Sequence, residues 1–132
     1  SIVGTMEKIK NGININNKSN NRIIPSTVNK IPQGVRKSEY DKLVKDIVSK
    51  GDKVCTFFIA PWCGHCKTLK SSGILEDVAS RGVVVFTADD ESLLTQDMKI
   101  QGFPTIFCAN QRGNLKYEDD RSSEKIISFL RK

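Results

Sequence analysis

Cys63 and Cys66 are the residues whose type and spacing most directly imply chemistry. They are three positions apart, so on a helix their side chains lie on one face, one turn from each other. Two sulfurs so placed can bridge or open with little backbone movement. A thiolate at Cys63 can attack a partner disulfide, and Cys66 can then resolve the mixed disulfide. The spacing also places Cys63 at the first turn of a helix, after the break Ala60-Pro61-Trp62. Unpaired N–H groups and the helix dipole favour an anion there, so the Cys63 thiol should ionise below its free value of about 8.5. His65, the one histidine of the chain, lies between the sulfurs. As a cation it would add positive charge beside the thiolate, favour the reduced state, and make the pair a better oxidant.

The elements that must position these residues read clearly from Ser38 onward. Ser38 is placed as an N-cap, with Glu39 and Asp41 in the first turn. Tyr40, Leu43, Val44, Ile47 and Val48 follow at helical spacing, and Gly51 ends the run. Val54–Ile59 is apolar or β-branched throughout, the pattern of a central strand buried on both faces. The helix from Cys63 should bend at Ser71-Ser72-Gly73 and continue through Ile74, Leu75, Val78 and Ala79 to a stop at Gly82. Val83–Thr87 reads as a strand and Asp89–Met98 as a short helix, with Asp89-Asp90-Glu91 its solvated start. Gly102-Phe103-Pro104 breaks that helix. Strands follow at Thr105–Cys108 and Leu115–Tyr117, and a last helix is capped by Ser122 or Ser123. This order predicts an α/β layer fold, a central mixed β-sheet flanked by helices.

Residues 1–36 differ in composition. Through Lys37 the chain carries seven Lys or Arg against one acidic residue, Glu7, whereas residues 38–132 carry fourteen of each sign. The net charge of +6 therefore belongs to this Asn-rich arm. Little apolar surface is available to bury there, which predicts a disordered or loosely packed arm. Arg22–Ile24 and Val28–Ile31 are short enough to serve as edge strands, with Pro25 and Pro32 limiting them. The arm lacks an aromatic residue to stack on bases, so a solvated tail is expected in preference to a nucleic-acid contact. No apolar run approaches the roughly 18 to 20 residues of a membrane span. The short apolar pair Ile2-Val3, with Lys8 and Lys10 after it, does not form a secretory leader, and Phe129-Leu130-Arg131-Lys132 is not a retention signal.

The run Ala60-Pro61-Trp62-Cys63-Gly64-His65-Cys66-Lys67-Thr68-Leu69, with Gly102-Phe103-Pro104-Thr105 about forty residues later, resembles the catalytic domains of protein disulfide isomerase in the thioredoxin superfamily. The resemblance covers roughly residues 37–132 and implies a thioredoxin-like fold. It also implies a thiol–disulfide oxidoreductase acting on protein thiols, with the Cys63–Cys66 disulfide as its only redox group. Cys63, Cys66, His65 and Arg121 would be its catalytic residues. Trp62, Gly64, Phe103, Pro104 and Thr105 would contact substrate. The resemblance further implies a cis Phe103–Pro104 bond facing Cys63, which would leave neighbouring backbone free to pair with an extended substrate. Arg121, at the end of the Tyr117 to Arg121 stretch, would help ionise Cys66.

Thioredoxin itself sits near −270 mV and the isomerase near −180 mV, a gap of about 4 kcal/mol for two electrons. The Gly64-His65 dipeptide places this chain with the isomerase. An upstream thiol oxidase or glutathione would be its redox partner, in the ER lumen or another secretory compartment, or in a cytoplasmic viral assembly pathway. A thioredoxin-like reductase and a peptide-binding module with a basic recruitment arm are the competing readings.

Several positions depart from the family. Its buried carboxylate and lysine fall at Phe57 and Val85, both apolar here, which predicts a slow resolving step at Cys66. Its helix-kinking proline is Ser71, its usual Asp after the third strand is Thr87, and its glycine before the arginine is Asp119. Structural zinc needs four ligands, and a second Cys or His pair is missing. Cys55 and Cys108 fall in apolar strands and are expected as buried free thiols, or as a second redox pair if their strands are neighbours.

Overall fold

The computed structural model describes residues 27–132. Five strands form one sheet in the order β1-β3-β2-β4-β5: β1 Val28–Lys30, β2 Lys53–Phe58, β3 Val83–Ala88, β4 Thr105–Asn110 and β5 Gly113–Tyr117. β3 runs parallel to both β1 and β2, whereas β4 is antiparallel to β2 and to β5. The helices are α1 Lys37–Ser49, α2 Gly64–Ser71, α3 Ile74–Ser80, α4 Leu93–Asp97 and α5 Ser123–Leu130. The mixed sheet flanked by helices is the expected fold class.

Strand alternation divides the core into two layers. Val54 and Phe58 of β2, with Val84 and Phe86 of β3, pack against Tyr40, Leu43, Val44 and Ile47 of α1 and Leu94 of α4. Cys55 and Phe57, with Val83 and Val85, face Leu69 of α2, Leu75 and Val78 of α3, and Ile126 and Leu130 of α5. β2 therefore has apolar cover on both sides, as its continuous apolar run requires. In the first layer Thr56 is fully buried but shares a 2.6 Å hydrogen bond with the Tyr40 hydroxyl, which also accepts from the Asn114 amide at 3.1 Å.

Three boundaries differ from expectation. The domain begins before residue 37: β1 pairs with β3, and Ile31 and Val35 are buried in the core. This is the edge strand that Val28–Ile31 offered in the sequence, and the Asn29 side-chain amide donates to the Val85 carbonyl at 3.3 Å. Arg22–Ile24, the other candidate edge strand, lies outside the described residues. The first helix starts at Lys37 with Arg36 as N-cap, not Ser38. The Arg36 amide donates to the Glu39 carboxylate at 2.9 Å, and its guanidinium makes two bonds to Asp97, at 2.9 and 2.8 Å. The helix expected over Asp89–Met98 is confined to Leu93–Asp97. Asp89 accepts from the Glu91 amide at 2.9 Å and so holds a turn, and Ser92 caps the helix by accepting from the Leu94 amide at 3.2 Å. The bend expected near Ser71-Ser72-Gly73 separates α2 from α3, with Gly73 at φ 81°, where a side chain would be strained.

Candidate active site

β2 is the centre of the sheet, and the chain leaving its C-terminal end carries the cysteines. The Ile59 amide donates to the Ala88 carbonyl at 2.9 Å, extending the β2–β3 pairing by one residue. A turn follows, closed by the Cys63 amide on the Ala60 carbonyl at 3.2 Å. Cys63 is then the N-cap of α2, and its sulfur accepts from the Cys66 amide at 3.3 Å. This is the helix-start position that the spacing predicted.

The two sulfurs occupy different environments. Cys63 is 8% exposed and Cys66 only 1%, so the first can meet a partner and the second is covered. The Cys63 thiol is held below its ordinary value, first by the hydrogen bond from the Cys66 thiol. The backbone amides of Cys66 and His65 and the charge of Arg121 act in the same direction, against the cost of burial. The Cys66 thiol is pushed up to about 11, first by burial and then by its hydrogen bond with Cys63. The Ala60 amide, 3.5 Å from the Cys66 sulfur, and Arg121 oppose that rise. Both cysteines are free thiols in this structure. The pair thus consists of a nucleophile poised to ionise and a partner that holds its proton.

The opposite wall is the loop before β4. The Phe103–Pro104 bond is cis. The Phe103 carbonyl accepts from the Cys63 thiol at 3.3 Å, which brings Cys63 and this loop into contact. Thr105 opens β4, and its hydroxyl donates to the Gly102 carbonyl at 2.7 Å. The Phe103 ring meets Trp62 edge to face at 5.7 Å between centroids. Trp62 is 66% exposed, and its indole N–H donates to Asp90 at 2.8 Å. Beside the loop lies a cleft of about 530 Å³ lined in part by Lys99, Phe103, Pro104, Thr105, Tyr117 and Arg121. Tyr117 ends β5, and its hydroxyl donates to the Asp120 carbonyl, tying down the turn that carries Arg121.

All nine residues singled out in the sequence therefore lie on two adjoining segments, Trp62 to Cys66 and Phe103 to Thr105, or at the cleft with Arg121. His65 is exposed, and its backbone amide is among the groups that lower the Cys63 thiol. Four contributing groups had not been singled out: the Ala60 amide, the Phe103 carbonyl, the Tyr117 hydroxyl and the Asp90 carboxylate. The first two are backbone atoms with no side-chain signature. Asp90 sits in an acidic run that reads as solvent-facing. The positions of the family's buried ion pair, Phe57 and Val85, are wholly buried in the same apolar cluster as Cys66. Among the described residues, no group of three or more His, Cys, Asp or Glu side chains could hold a metal ion. No helix among them is long and apolar enough to cross a membrane.

A thioredoxin family model matches residues 32–132. The chain belongs to the thioredoxin family. The matched span begins at Pro32, directly after the buried Ile31, and so includes Val35 and the capping turn of α1. Protein disulfide isomerase-like 1-1 of Arabidopsis thaliana is 40% identical over 102 residues, 70% of this chain and 20% of its own length. Protein disulfide isomerase-like 1-3 of rice (Oryza sativa subsp. japonica) is 33% identical over 111 residues, 76% of this chain and 19% of its own. This thioredoxin-family chain thus spans about a fifth of the length of these curated relatives. Among solved structures, the first thioredoxin domain of mouse protein disulfide-isomerase A4 aligns with a TM-score of 0.54 at 28% identity, over 74% of this chain and 71% of that one. Chloroplastic thioredoxin z aligns with a TM-score of 0.60 at 27% identity, over 79% and 91%.

Proposed function

We propose that this thioredoxin-family chain is a thiol–disulfide oxidoreductase of the oxidase or isomerase type, acting on protein thiols through a Cys63–Cys66 disulfide. The observation that carries this reading is the asymmetry of the pair. Cys63 caps α2 with its thiol held low, and Cys66, one turn on, is covered and held high, pushed up to about 11. That is the division of labour between an attacking and a resolving sulfur.

In the oxidising direction, a substrate thiolate attacks the Cys63 sulfur of the disulfide, and Cys66 leaves as a thiolate that takes up a proton. A second substrate thiol then displaces Cys63, completing the substrate disulfide and leaving the Cys63/Cys66 dithiol. Cys63 is a good leaving group in that last step because its thiolate is stabilised. In isomerisation the reduced Cys63 attacks a substrate disulfide, and a different substrate thiol displaces it. Phe103, Pro104 and Thr105 receive the substrate backbone, Trp62 and Gly64 border the sulfur, and Arg121 supplies positive charge to both cysteines. The exposed His65 imidazole adds positive charge near the helix start when it is protonated, and so favours the oxidising end. The likeness to relatives named as protein disulfide isomerases supports the same direction. An upstream thiol oxidase or glutathione re-forms the disulfide. An oxidising secretory compartment such as the ER lumen is the setting in which such a disulfide donor stays oxidised.

The test is turnover with two substrates, a reduced dithiol peptide and a protein carrying scrambled disulfides. The oxidised chain should oxidise the first, and a glutathione-poised mixture should rearrange the second. Cys63→Ser should abolish both. Retained activity in that variant would overturn the reading, and reduction of insulin-like disulfides without oxidation of the peptide would favour a reductase.

A further inference from the structure

Cys55 and Cys108 take no part in the chemistry above. They are direct partners across the antiparallel β2–β4 ladder, and their sulfurs lie 3.1 Å apart. Both are free thiols and almost wholly enclosed, at 0% and 1% exposure. Directly opposed residues of an antiparallel pair have Cα atoms about 4.5 to 5.5 Å apart. That lies within the roughly 4.4 to 6.8 Å window for a disulfide. Closing the sulfurs to about 2.05 Å needs a small side-chain rotation and no change of strand register.

The position of the pair gives a bridge a consequence. β2 runs into the turn that carries Cys63, and β4 begins one residue after Pro104. A covalent link between these strands would fasten together the two elements that form the walls of the active site.

Burial determines when the link can form. It pushes the Cys55 thiol well above its ordinary value, and Cys108 beside it adds to the rise. Two thiols enclosed at 0% and 1% exposure cannot be reached by a small disulfide, so the pair is inert while the sheet is closed. Exchange must occur while the chain is still open. One cysteine attacks a low-molecular-weight disulfide and releases one small thiol, leaving a mixed disulfide. The other cysteine attacks that mixed disulfide and releases the second small thiol. Two cysteine thiols and one small disulfide thus become one protein disulfide and two small thiols. The two electrons pass to the small disulfide, and the two thiol protons are balanced by those on the released thiols.

We infer that Cys55 and Cys108 close a second, structural disulfide across β2 and β4 when the chain folds in the presence of a small disulfide oxidant, and that the folded sheet then shields it from the thiols that open Cys63–Cys66. Folded under reducing conditions, the same two positions remain packed thiols, and the sheet is unchanged.

The experiment refolds the full chain from the reduced, denatured state, either in an oxidised and reduced glutathione mixture or in reductant alone. Each folded sample is then treated with reduced glutathione, quenched in acid, denatured and alkylated with iodoacetamide so that every free thiol is labelled, buried ones included, and passed to intact-mass and peptide analysis. The glutathione-refolded chain should carry two labels, at Cys63 and Cys66, with Cys55 and Cys108 linked to each other. Its melting temperature should exceed that of the reductant-refolded chain by on the order of 10 °C, as expected for closing a long loop. The double variant Cys55→Ala with Cys108→Ala retains the active pair and should melt at one temperature whichever way it was refolded. Failure of the glutathione-refolded chain to contain the Cys55–Cys108 link, or a link from either residue to Cys63 or Cys66, would overturn the inference. So would a redox-dependent melting shift that persists in the double variant. If that variant does not fold, the wild-type peptide map decides.

Discussion

When a small aromatic disulfide reacts with the reduced chain, Cys63 attacks first, and Cys66 must then displace the second aromatic thiol from Cys63. These steps should differ in their response to pH. With its thiol pushed up to about 11, Cys66 is ionised in about one molecule in ten thousand at pH 7 and about one in a hundred at pH 9. The largest cause of that rise, burial, persists once Cys63 is bonded to the leaving thiol. A thiol raised by about two units gains roughly tenfold in intrinsic nucleophilicity, with a Brønsted slope near 0.5, and loses about a hundredfold in thiolate fraction. Part of the rise comes from Cys63 itself and is lost in the mixed disulfide, so the net expectation is a resolving step slower by up to about tenfold than that of an unshifted thiol in the same place. Stopped-flow absorbance separates the two releases of aromatic thiol. The first phase should level off below the ordinary thiol pKa, because Cys63 is held low. The second should climb about tenfold per pH unit from about 7 to 9. A second phase that is flat across this range would refute the assignment of Cys66 as a buried, proton-holding partner.

Other perturbations test separate parts of the account. Cys66→Ser should trap the Cys63 mixed disulfide with a substrate protein, visible as a reductant-sensitive adduct by mass spectrometry. Arg121→Gln removes a charge that lowers both cysteines, so both phases should slow severalfold at low salt, and the difference should shrink at high salt. Phe57→Glu alone should cost about 3–5 kcal/mol by stranding a charge in the core, measured by denaturant unfolding. Adding Val85→Lys should recover part of that loss and speed the resolving phase near neutral pH; an unchanged second phase would exclude a missing proton relay as the cause of slow resolution. Ile31→Ala should cost about 2–5 kcal/mol because Ile31 is core, whereas a loosely attached arm would tolerate it within about 0.5 kcal/mol.

What could be foreseen from sequence depended on how local the determining interactions are. β2 and β3 show in their unbroken apolar runs, α1 in its 3.6-residue period, and the cysteine pair in a spacing set by one helical turn. β1 shows only as a possible edge strand at Val28–Ile31, because it has three residues and one of them is Asn29, satisfied by a carbonyl 56 residues away. The cap of α1 lies at Arg36, ahead of the Ser38 that its residue type suggests, because Arg36 is fixed by Asp97 from another helix. The acidic stretch at Asp89 looks like a helix start, but the Asp89 carboxylate caps a turn and the Asp90 carboxylate accepts from Trp62. In the site, Cys63 and Cys66 are legible as side chains. The Ala60 amide and Phe103 carbonyl that contact their sulfurs are main-chain atoms, placed only by the turn after β2 and the loop before β4.

As proposed, Cys63 and Cys66 form a redox couple poised toward disulfide donation. A glutathione redox titration of the full chain, with the state of each cysteine read by alkylation and peptide mapping, tests it most directly. The Cys63–Cys66 pair should show a single two-electron transition at a potential nearer the roughly −180 mV typical of protein disulfide isomerase than the roughly −270 mV of thioredoxin. A transition near −270 mV, or one in which Cys63 and Cys66 do not change state together, would contradict it.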